Sequence, residues 1–360
     1  MKTVLLGDIC PTTENGFMYK EKRTEEIFSD TLPIMRGADF VAVNLECALT
    51  EHENQIDKFG PPLKAPLETA QVLKEAGVSL CGLSNNHVFD YGKKGALDTI
   101  KALTDAGVDY TGFGENYEDS RKNYVIEKDG QTVCVIAVCE HEYSYALEDR
   151  MGSRPFDEFE SLEDVRDAAQ KYDRVIVMYH GAKELCRYPS PRVYRLCHAM
   201  ARAGADVVLC QHSHCIGAYE KYEDCHILYG QGNFQFSWSN RDEMWYTALM
   251  VKYDTVTHDI EFIPSKIAGH TVELVKGEEK EEIMEAFQKR NEEMLSGDWK
   301  NGWHAFCEEN REFYMGVIAK SGKPDATRFE RDYFGHMLDC EAHTDVWREL
   351  NPSYNLTNEK

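Results

Sequence analysis

The sequence lacks an apolar run long enough to cross a membrane, because polar or charged residues interrupt every hydrophobic stretch well short of about 18 residues. Only a few apolar side chains precede Asp8, so the apolar core of a secretory signal is also missing. Neither a Cys-x-x-Cys pair nor a Walker-type loop occurs, which argues against zinc-ribbon, thioredoxin-type and P-loop sites. We therefore expect a cytoplasmic protein without a membrane span.

Basic residues are scarce as well. Lysine and arginine total 40 against 63 aspartates and glutamates, and the formal net charge is −23. Such a chain offers no broad cationic surface to a phosphate backbone, so nucleic acid is not the expected partner. A polyanionic ligand could bind only where metal cations or a local basic patch reverse the field.

The rest of the composition is that of a folded protein. Hydrophobic residues make up 42% of the 360 positions, enough for a large core. The 12 cysteines are expected to be reduced thiols, because a cytoplasmic chain of this length does not need a disulfide framework. We predict an α/β domain over residues 1–270 and a helical extension over residues 271–360 that packs on it.

Short apolar runs alternate with amphipathic stretches through the first part of the chain, which predicts alternating strands and helices. The runs end in polar or glycine-bearing segments, and three predicted helices end in an Ala-Gly pair typical of a glycine C-cap. The predicted strands are Val4–Leu6, Phe40–Asn44, Val78–Leu83, Val108–Thr111, Thr132–Cys139, Arg174–Tyr179 and Asp206–Cys210, followed by an edge hairpin of Tyr246–Tyr253 and Asp259–Pro264. The predicted helices are Pro66–Ala76, Lys93–Ala106, Leu162–Lys171 and Pro191–Ala203, with His304–Ile318, Ala326–Leu338 and His343–Leu350 in the extension.

Polar residues that can bind metals recur directly after predicted strands. In open α/β sheets the carboxyl ends of the strands meet at one rim, where binding sites form. Singly, each segment is better explained as a turn or a surface pair. Together they offer the hard oxygen and imidazole donors that a divalent metal cluster needs. The segments are Gly7-Asp8, Asn44-Leu45-Glu46, Asn85-Asn86-His87 with Asp90, His180 with Glu184, and His212-Ser213-His214.

A carboxylate shared between two cations offsets their repulsion, and Glu46 is the candidate for this bridging position. Two cations about 3.5–4 Å apart can hold a bridging hydroxide and a phosphate oxygen. His87 follows the candidate ligand Asn86, and we expect it to assist a leaving group by proton transfer. Asp90 is expected to fix the tautomer of His87.

Residues 3–264 resemble the bacterial capsule-synthesis proteins of the CapA, or poly-γ-glutamate, type. The Asn-Asn-His block and the Gly-Asn-Phe that follows a tyrosine are the most specific parts of the resemblance. The matching phrases are Gly7-Asp8, Asn44-Leu45-Glu46, Ser84-Asn85-Asn86-His87-Val88-Phe89-Asp90-Tyr91-Gly92, Gly112-Phe113-Gly114-Glu115-Asn116, His180 to Glu184, Gly204-Ala205-Asp206, His212-Ser213-His214 and Tyr229-Gly230-Gln231-Gly232-Asn233-Phe234.

The resemblance implies a calcineurin-like metallophosphoesterase fold: an α/β layered sandwich with central β-sheets flanked by helices, here with a C-terminal helical appendage. It also implies one or two divalent ions (Mn, Fe or Zn). Asp8 and His214 would hold one metal and Asn86, His180 and His212 the other, with Glu46 in place of the usual bridging Asp. Cys10 occupies the position of a common histidine ligand, where it would be a soft ligand or a bystander. The expected substrate contacts are Lys64, Glu184 and Asn233.

Three functions are compatible with this pattern. The first is a metal-dependent phosphoesterase or related hydrolase, in which a metal-bound hydroxide attacks a small anionic or phosphorylated substrate. The second is a protein that binds a γ-glutamyl polymer without turnover, using the metals with Lys64, Lys183 or Arg187. The third is an activity on amide bonds, since the same nucleophile attacks a carbonyl carbon. A pocket with several open metal positions would favour the first function, and a long groove lined by lysine and arginine the second.

Overall fold

Two β-sheets lie face to face at the centre of the protein, and helices cover the outer face of each. The computed structural model describes residues 1–140 and 142–352. Residues 353–360 of the predicted helical extension lie outside the described residues. The layered α/β sandwich with a C-terminal helical appendage is confirmed.

The strands are short and most of them are buried. In chain order they are β1 (Lys2–Ile9), β2 (Phe40–Leu45), β3 (Ala48–Leu49), β4 (Lys64–Ala65), β5 (Leu80–Gly82), β6 (Asp109–Thr111), β7 (Phe113–Gly114), β8 (Tyr124–Lys128), β9 (Gln131–Cys139), β10 (Gly152–Ser153), β11 (Arg174–His180), β12 (Val207–Gln211), β13 (Tyr219–Tyr222), β14 (Cys225–Leu228), β15 (Asn233–Gln235), β16 (Thr247–Asp254), β17 (Asp259–Ala268) and β18 (Thr271–Leu274).

The helices are α1 (Gly16–Lys20), α2 (Thr24–Phe28), α3 (Leu32–Arg36), α4 (Thr69–Glu75), α5 (Gly92–Ala106), α6 (Tyr117–Ser120), α7 (Glu160–Lys171), α8 (Pro191–Ala203), α9 (Gly277–Ser296), α10 (Trp299–Glu309), α11 (Arg311–Ser321), α12 (Arg328–Asp339) and α13 (Glu341–Leu350). Within residues 1–140 and 142–352, no helix combines the length and apolar character that a bilayer crossing requires.

The first sheet has the strand order β18-β17-β16-β1-β2-β5-β6, with β15 also paired to β1. The second has the order β13-β14-β12-β11-β9-β8. Strands β1, β2, β5 and β6 run parallel in the first sheet, and β9, β11, β12 and β14 run parallel in the second. Their carboxyl ends therefore form a continuous rim, which is where ligands bind in open parallel sheets.

Alternation along the strands explains the layers. On β2, Ala42 points into the core between the sheets, while Val41 and Val43 pack under the helices of the outer layer. On β11, Ile176 faces inward and Val177 faces α7 and α8. Because both faces of these strands are buried, the predicted strands have nearly continuous apolar sequences rather than alternating ones.

Local signals set the helix ends as predicted. The Ser190 hydroxyl accepts a hydrogen bond from the Val193 amide at the start of α8, and Gly204 ends that helix with φ of +113°. Gly107 ends α5 in the same left-handed conformation, with φ of +72°. Glycine adopts this conformation without the steric cost that a Cβ imposes, so the Ala-Gly pairs are C-caps and not a repeat.

Two predicted elements were wrong in detail. The hairpin of β16 and β17 exists, but β16 pairs with β1 and β18 covers β17, so the hairpin is not at the sheet edge. The stretch predicted as one helix over His304–Ile318 contains two, which meet at Asn310. The Asn310 side-chain amide donates a hydrogen bond to the Phe306 carbonyl at 2.8 Å and so ends α10.

The helical segment after β18 packs on the sandwich through aromatic residues. Trp299 joins the core that covers the second sheet and stacks on Tyr194 of α8 at 4.6 Å. Trp303, Tyr314 and Met337 belong to a separate small core that also contains Cys186 of the α/β body. Aromatic side chains of the segment therefore contact the α/β body.

Candidate metal centre

The predicted metal ligands at the strand ends meet at the shared rim of the two sheets. Asp8 ends β1, Glu46 follows β2, and His180 ends β11, while His212 and His214 follow β12. All five side chains are buried. The topology therefore brings together residues that lie more than half the chain apart.

Their ligand atoms form two overlapping groups. Asp8, Glu46 and His180 form one, and Glu46, His212 and His214 form the other, with the ligand atoms in each within 4.8 Å of one another. Glu46 Oε1 lies 3.4 Å from His180 Nε2 and 3.9 Å from His214 Nε2. Glu46 is common to both groups, as expected of a bridging carboxylate. The His180 and His212 rings lie 4.9 Å apart, and His214 Nδ1 lies 3.6 Å from Asp8 Oδ2, so the assignment of these ligands to one metal or the other stays a prediction.

Glu46 supplies the test of whether these residues fit a metal. Both of its carboxylate oxygens are buried, and neither has a hydrogen-bond partner among the described residues. Burial raises the pKa of Glu46, and burial together with the nearby Glu46 raises the pKa of Asp8 to about 6. Two carboxylates so placed repel each other, and a divalent cation between them would remove that cost. The donor set of carboxylates and imidazoles fits one or two divalent ions.

The backbone at the two histidines after β12 is strained. His212 has φ of +78° and His214 has φ of +53°, in the left-handed region that residues with a Cβ rarely adopt. Such conformations cost about 1–3 kcal/mol each. They persist only where contacts of the surrounding structure offset this cost, and they are concentrated at functional sites. Here the conformation places both imidazoles beside Glu46.

Asparagine side chains orient the candidate ligands. The Asn44 amide donates to Asp8 Oδ1 at 2.7 Å, and Asn85 donates in turn to Asn44 Oδ1 at 3.1 Å. Asn233 Oδ1 lies 2.8 Å from His214 Nδ1. Outer groups of this kind set the tautomer and position of metal ligands. A signal for Asn44 was present in the sequence, because it lies at the carboxyl end of β2, which Glu46 directly follows.

Asn86 lies in the site as predicted for a ligand, with its Oδ1 2.9 Å from His180 Nε2. Cys10 lies elsewhere. Its thiol is buried against Cys47, and burial raises its pKa well above the ordinary value. Cys10 belongs to neither group of candidate ligands within the described part of the chain. This position is the one expected if Cys10 takes no part in metal binding. The alternative, in which Cys10 is a soft thiolate ligand, stays a prediction.

His87 and Asp90 form the predicted pair, with His87 Nδ1 2.7 Å from Asp90 Oδ2. Sequence reasoning missed Lys58, whose buried ammonium forms an ion pair with Asp90 and lies 3.1 Å from His87 Nδ1. Burial and the Lys58 charge lower the pKa of His87. The neutral imidazole is thus favoured, and His87 would have to receive a proton before giving one to a leaving group. Lys58 lies in a loop far from any predicted strand end, so no pattern pointed to it.

A cavity of about 280 Å³ opens above the candidate metal ligands. Lys58, Lys183 and Arg241 bring positive charge to its wall. Of the predicted substrate contacts, Glu184 lines it. Other lining groups are His87, His212, His214, Trp238 and Trp245.

The other two predicted contacts lie away from this cavity. Lys64 lines a neighbouring cavity and forms an ion pair with Glu53 at 2.8 Å. Asn233 is fully buried behind His214 and donates to the Trp245 carbonyl at 3.0 Å. At this position Asn233 orients the imidazole of His214, a candidate metal ligand, and does not face the cavity where a substrate would bind.

Comparison with known proteins adds to this geometry. Residues 2–237 match the family described as bacterial capsule synthesis protein PGA_cap. The capsule biosynthesis protein CapA of Bacillus anthracis is 30% identical over 241 residues, covering 64% of this chain and 59% of that protein. The PGA biosynthesis protein CapA of Bacillus subtilis (strain 168) is 31% identical over 236 residues, covering 64% and 62%. The chain therefore spans about 60% of the length of these curated relatives.

Among solved structures, a 5′-nucleotidase from Candida albicans SC5314 is similar with a TM-score of 0.41 and 8% sequence identity. The match covers 82% of this chain and 58% of that chain.

Proposed function

The chain belongs to the bacterial capsule synthesis protein family PGA_cap, and we propose that it is a metal-dependent hydrolase that cleaves a phosphoester in a small anionic substrate. The observation that carries the proposal is Glu46, a buried carboxylate shared by two groups of candidate ligands and without a hydrogen-bond donor among the described residues. A purely structural carboxylate in such a place would be costly.

The proposed ligands are Asp8, Glu46, Asn86 and the imidazoles of His180, His212 and His214, which would hold one or two ions of Mn, Fe or Zn. When bound, such ions polarise a phosphoryl oxygen and acidify the attacking water. In the hydrolysis, the water oxygen forms a bond to phosphorus and the bond from phosphorus to the leaving oxygen breaks. The leaving oxygen takes up the proton that the water gives up.

The residues around the candidate metal ligands would transfer the proton and orient the substrate. His87 Nε2 would relay the proton, while Nδ1 is held by Asp90 at 2.7 Å. The side chains of Lys183 and Arg241 line the cavity and would attract the anionic substrate. Glu184, at the cavity wall, would contact groups of the substrate that carry hydrogen-bond donors.

The first test is elemental analysis of the purified protein. We expect about one to two equivalents of metal per chain and hydrolysis of para-nitrophenyl phosphate. The double variant His212→Ala, His214→Ala should lose both, because it removes two of the three ligands of one group. His270→Ala, at an exposed histidine, is the matched control. A wild type that stays metal-free after incubation with Mn, Fe or Zn would contradict the proposal.

Replacing Lys58 by methionine is expected to lower kcat by about 10- to 100-fold while the metal content stays the same. The reason is that Lys58 holds Asp90, and Asp90 orients the His87 ring. The change should fall on kcat rather than on KM and should alter the pH profile. Lys94→Met, which removes an exposed lysine paired to Asp98, should leave both constants within about twofold. Equal effects of the two variants would exclude a positioning role for Lys58.

A second candidate function is action on, or binding of, a γ-glutamyl polymer. It draws on the printed names of the two curated relatives, which refer to capsule and PGA biosynthesis. The metal site could equally serve attack on an amide carbonyl. Release of glutamate from a γ-glutamyl oligomer, without hydrolysis of phosphoesters, would favour this candidate over the first.

The proposed location is the cytoplasm. All twelve cysteines are buried as thiols rather than as disulfides, as expected of a protein that folds in a reducing compartment. Thiol titration of the unfolded protein from its native host, with alkylation at lysis, checks this directly.

A further inference from the structure

The C-terminal helices form one wall of the cavity above the candidate metal ligands. Tyr333 and His336 of α12 line it, as do Ala342 and His343 of α13. These helices lie outside residues 2–237, which match the family. Resting on the proposed function, we infer that this wall selects a small anionic substrate and excludes a polymer.

The wall is joined to the α/β body by a stack of rings. Phe59, in the loop that also carries Lys58, stacks on Tyr333 with ring centroids 4.3 Å apart and planes 12° apart. The same Phe59 ring stacks on His336 at 5.2 Å. The Tyr143 hydroxyl lies 3.2 Å from His336 Nδ1. The stack therefore closes the side of the cavity between the sandwich and α12.

The second helix of the wall is fixed from behind. Asp345 of α13 accepts hydrogen bonds from the Ser190 hydroxyl at 2.7 Å and from Arg192 Nε at 2.9 Å. The Tyr314 hydroxyl lies 2.7 Å from His343 Nδ1. These contacts hold α13 across the cavity as a fixed part of the fold, and a long chain would have to displace it in order to pass.

The charge of the wall identifies the kind of ligand. Lys58, Lys183 and Arg241 line the cavity, against the single carboxylate of Glu184 among its described lining residues other than the candidate metal ligands. The Arg241 guanidinium lies over the Trp238 ring at 4.0 Å from the ring centroid. Lys58 is paired with Asp90 and Lys183 lies 3.7 Å from Glu184, so the positive charge that the wall offers to a ligand comes mainly from Arg241. Such a pocket attracts anions that the rest of the surface repels.

The size of the cavity identifies the length of the ligand. Its volume of about 280 Å³ lies at the lower end of the range of small-molecule pockets, which are about 300–1,000 Å³. A phosphate monoester of a small alcohol fits this space. A polymer needs a groove open at both ends, and here α12 and α13 stand across one of them.

Calorimetric titration of the full-length, manganese-loaded protein tests the wall directly. The two ligands are inorganic phosphate and a γ-glutamyl decapeptide. The variants Tyr333→Ala and Phe59→Ala remove the two partners of the same ring stack. If one variant fails to fold, the other still tests the inference. Leu338→Ala, at an exposed position of α12, is the control.

We expect the wild type to bind phosphate and not the decapeptide. Each stack variant should bind phosphate up to about tenfold more weakly and should gain measurable affinity for the decapeptide. The control should behave as the wild type. Metal content, measured on the same samples, separates the two proposals: a wild type without metal would overturn the proposed function. The inference about the wall alone would be overturned by a metal-loaded wild type that binds the decapeptide as tightly as phosphate. Stack variants with the same affinities as the wild type would also overturn it.

Discussion

Replacing Glu46 by glutamine is expected to abolish metal binding while making the metal-free protein more stable. Glu46 is common to both groups of candidate ligands, so its loss affects every ion the site could hold. In the metal-free protein its carboxylate is buried beside Asp8, without a hydrogen-bond donor among the described residues. Removing the buried charge that lacks a hydrogen-bond donor should raise the free energy of unfolding by about 1–3 kcal/mol.

The measurement is urea unfolding of both proteins with and without metal, together with elemental analysis. Added metal should stabilise the wild type and leave Glu46→Gln unchanged. Hydrolysis should fall by at least about a thousandfold, as expected when a metal ion that stabilises the transition state is lost. A more stable metal-free protein together with the loss of metal binding would show that Glu46 serves metal binding rather than stability.

Glu220→Gln is the matched control, because Glu220 is also a buried glutamate but has its hydrogen bonds made. Its Oε1 accepts from the Tyr229 hydroxyl at 2.7 Å and lies 2.8 Å from His198 Nε2. This variant should be less stable than the wild type and should keep its metal. If Glu46→Gln also proved less stable and kept its metal, Glu46 would be a structural residue and the proposed centre would fail.

Replacing Arg192 by methionine is expected to lower the free energy of unfolding by about 3–5 kcal/mol. Arg192 forms ion pairs with two buried carboxylates, Glu140 after β9 and Asp345 of α13. Without the guanidinium, both carboxylates remain buried and lose the buried cation that pairs with them. The variant should also loosen α13 and with it the cavity wall, so amide exchange in α13 should accelerate.

Arg348→Met is the control for this prediction. Arg348 approaches the other oxygen of the same Asp345 at 3.6 Å, but its side chain is 72% exposed to solvent. An exposed pair of this kind contributes about 0–1 kcal/mol. Urea unfolding followed by circular dichroism compares the two variants with the wild type. A loss of similar size in both would show that burial does not set the strength of the Arg192 pairs.

Much of the site could be predicted because its residues obey a rule that operates along the sequence. Asp8, Glu46, Asn86, His180 and the histidines around Ser213 all follow apolar runs recognisable as strands. Parallel strands place such residues at one rim whatever their order in the sheet. The chemistry of each residue type then limits what the rim can bind.

Other parts could not be predicted, because they depend on which segments meet in space. Lys58 lies in a loop and acquires a role only through its contact with Asp90 and His87. Cys10 has a ligand's position in the sequence, yet its thiol packs against Cys47. Asn233 follows a motif shared with the family, but the fold buries it behind His214.

The amino-acid sequence by itself determined the layered α/β architecture, the helical segment at the end and the residue types gathered at the strand ends. Local propensity and burial periodicity are sufficient for these, since each is read within about ten to fifteen neighbouring residues. Tertiary structure alone decided how the ligands group around Glu46 and that α12 and α13 wall the cavity over them. Those features come from packing between segments that lie hundreds of positions apart. The packing of Tyr333 on Phe59 depends on the shape of both surfaces, and neither segment has a sequence periodicity that would reveal it.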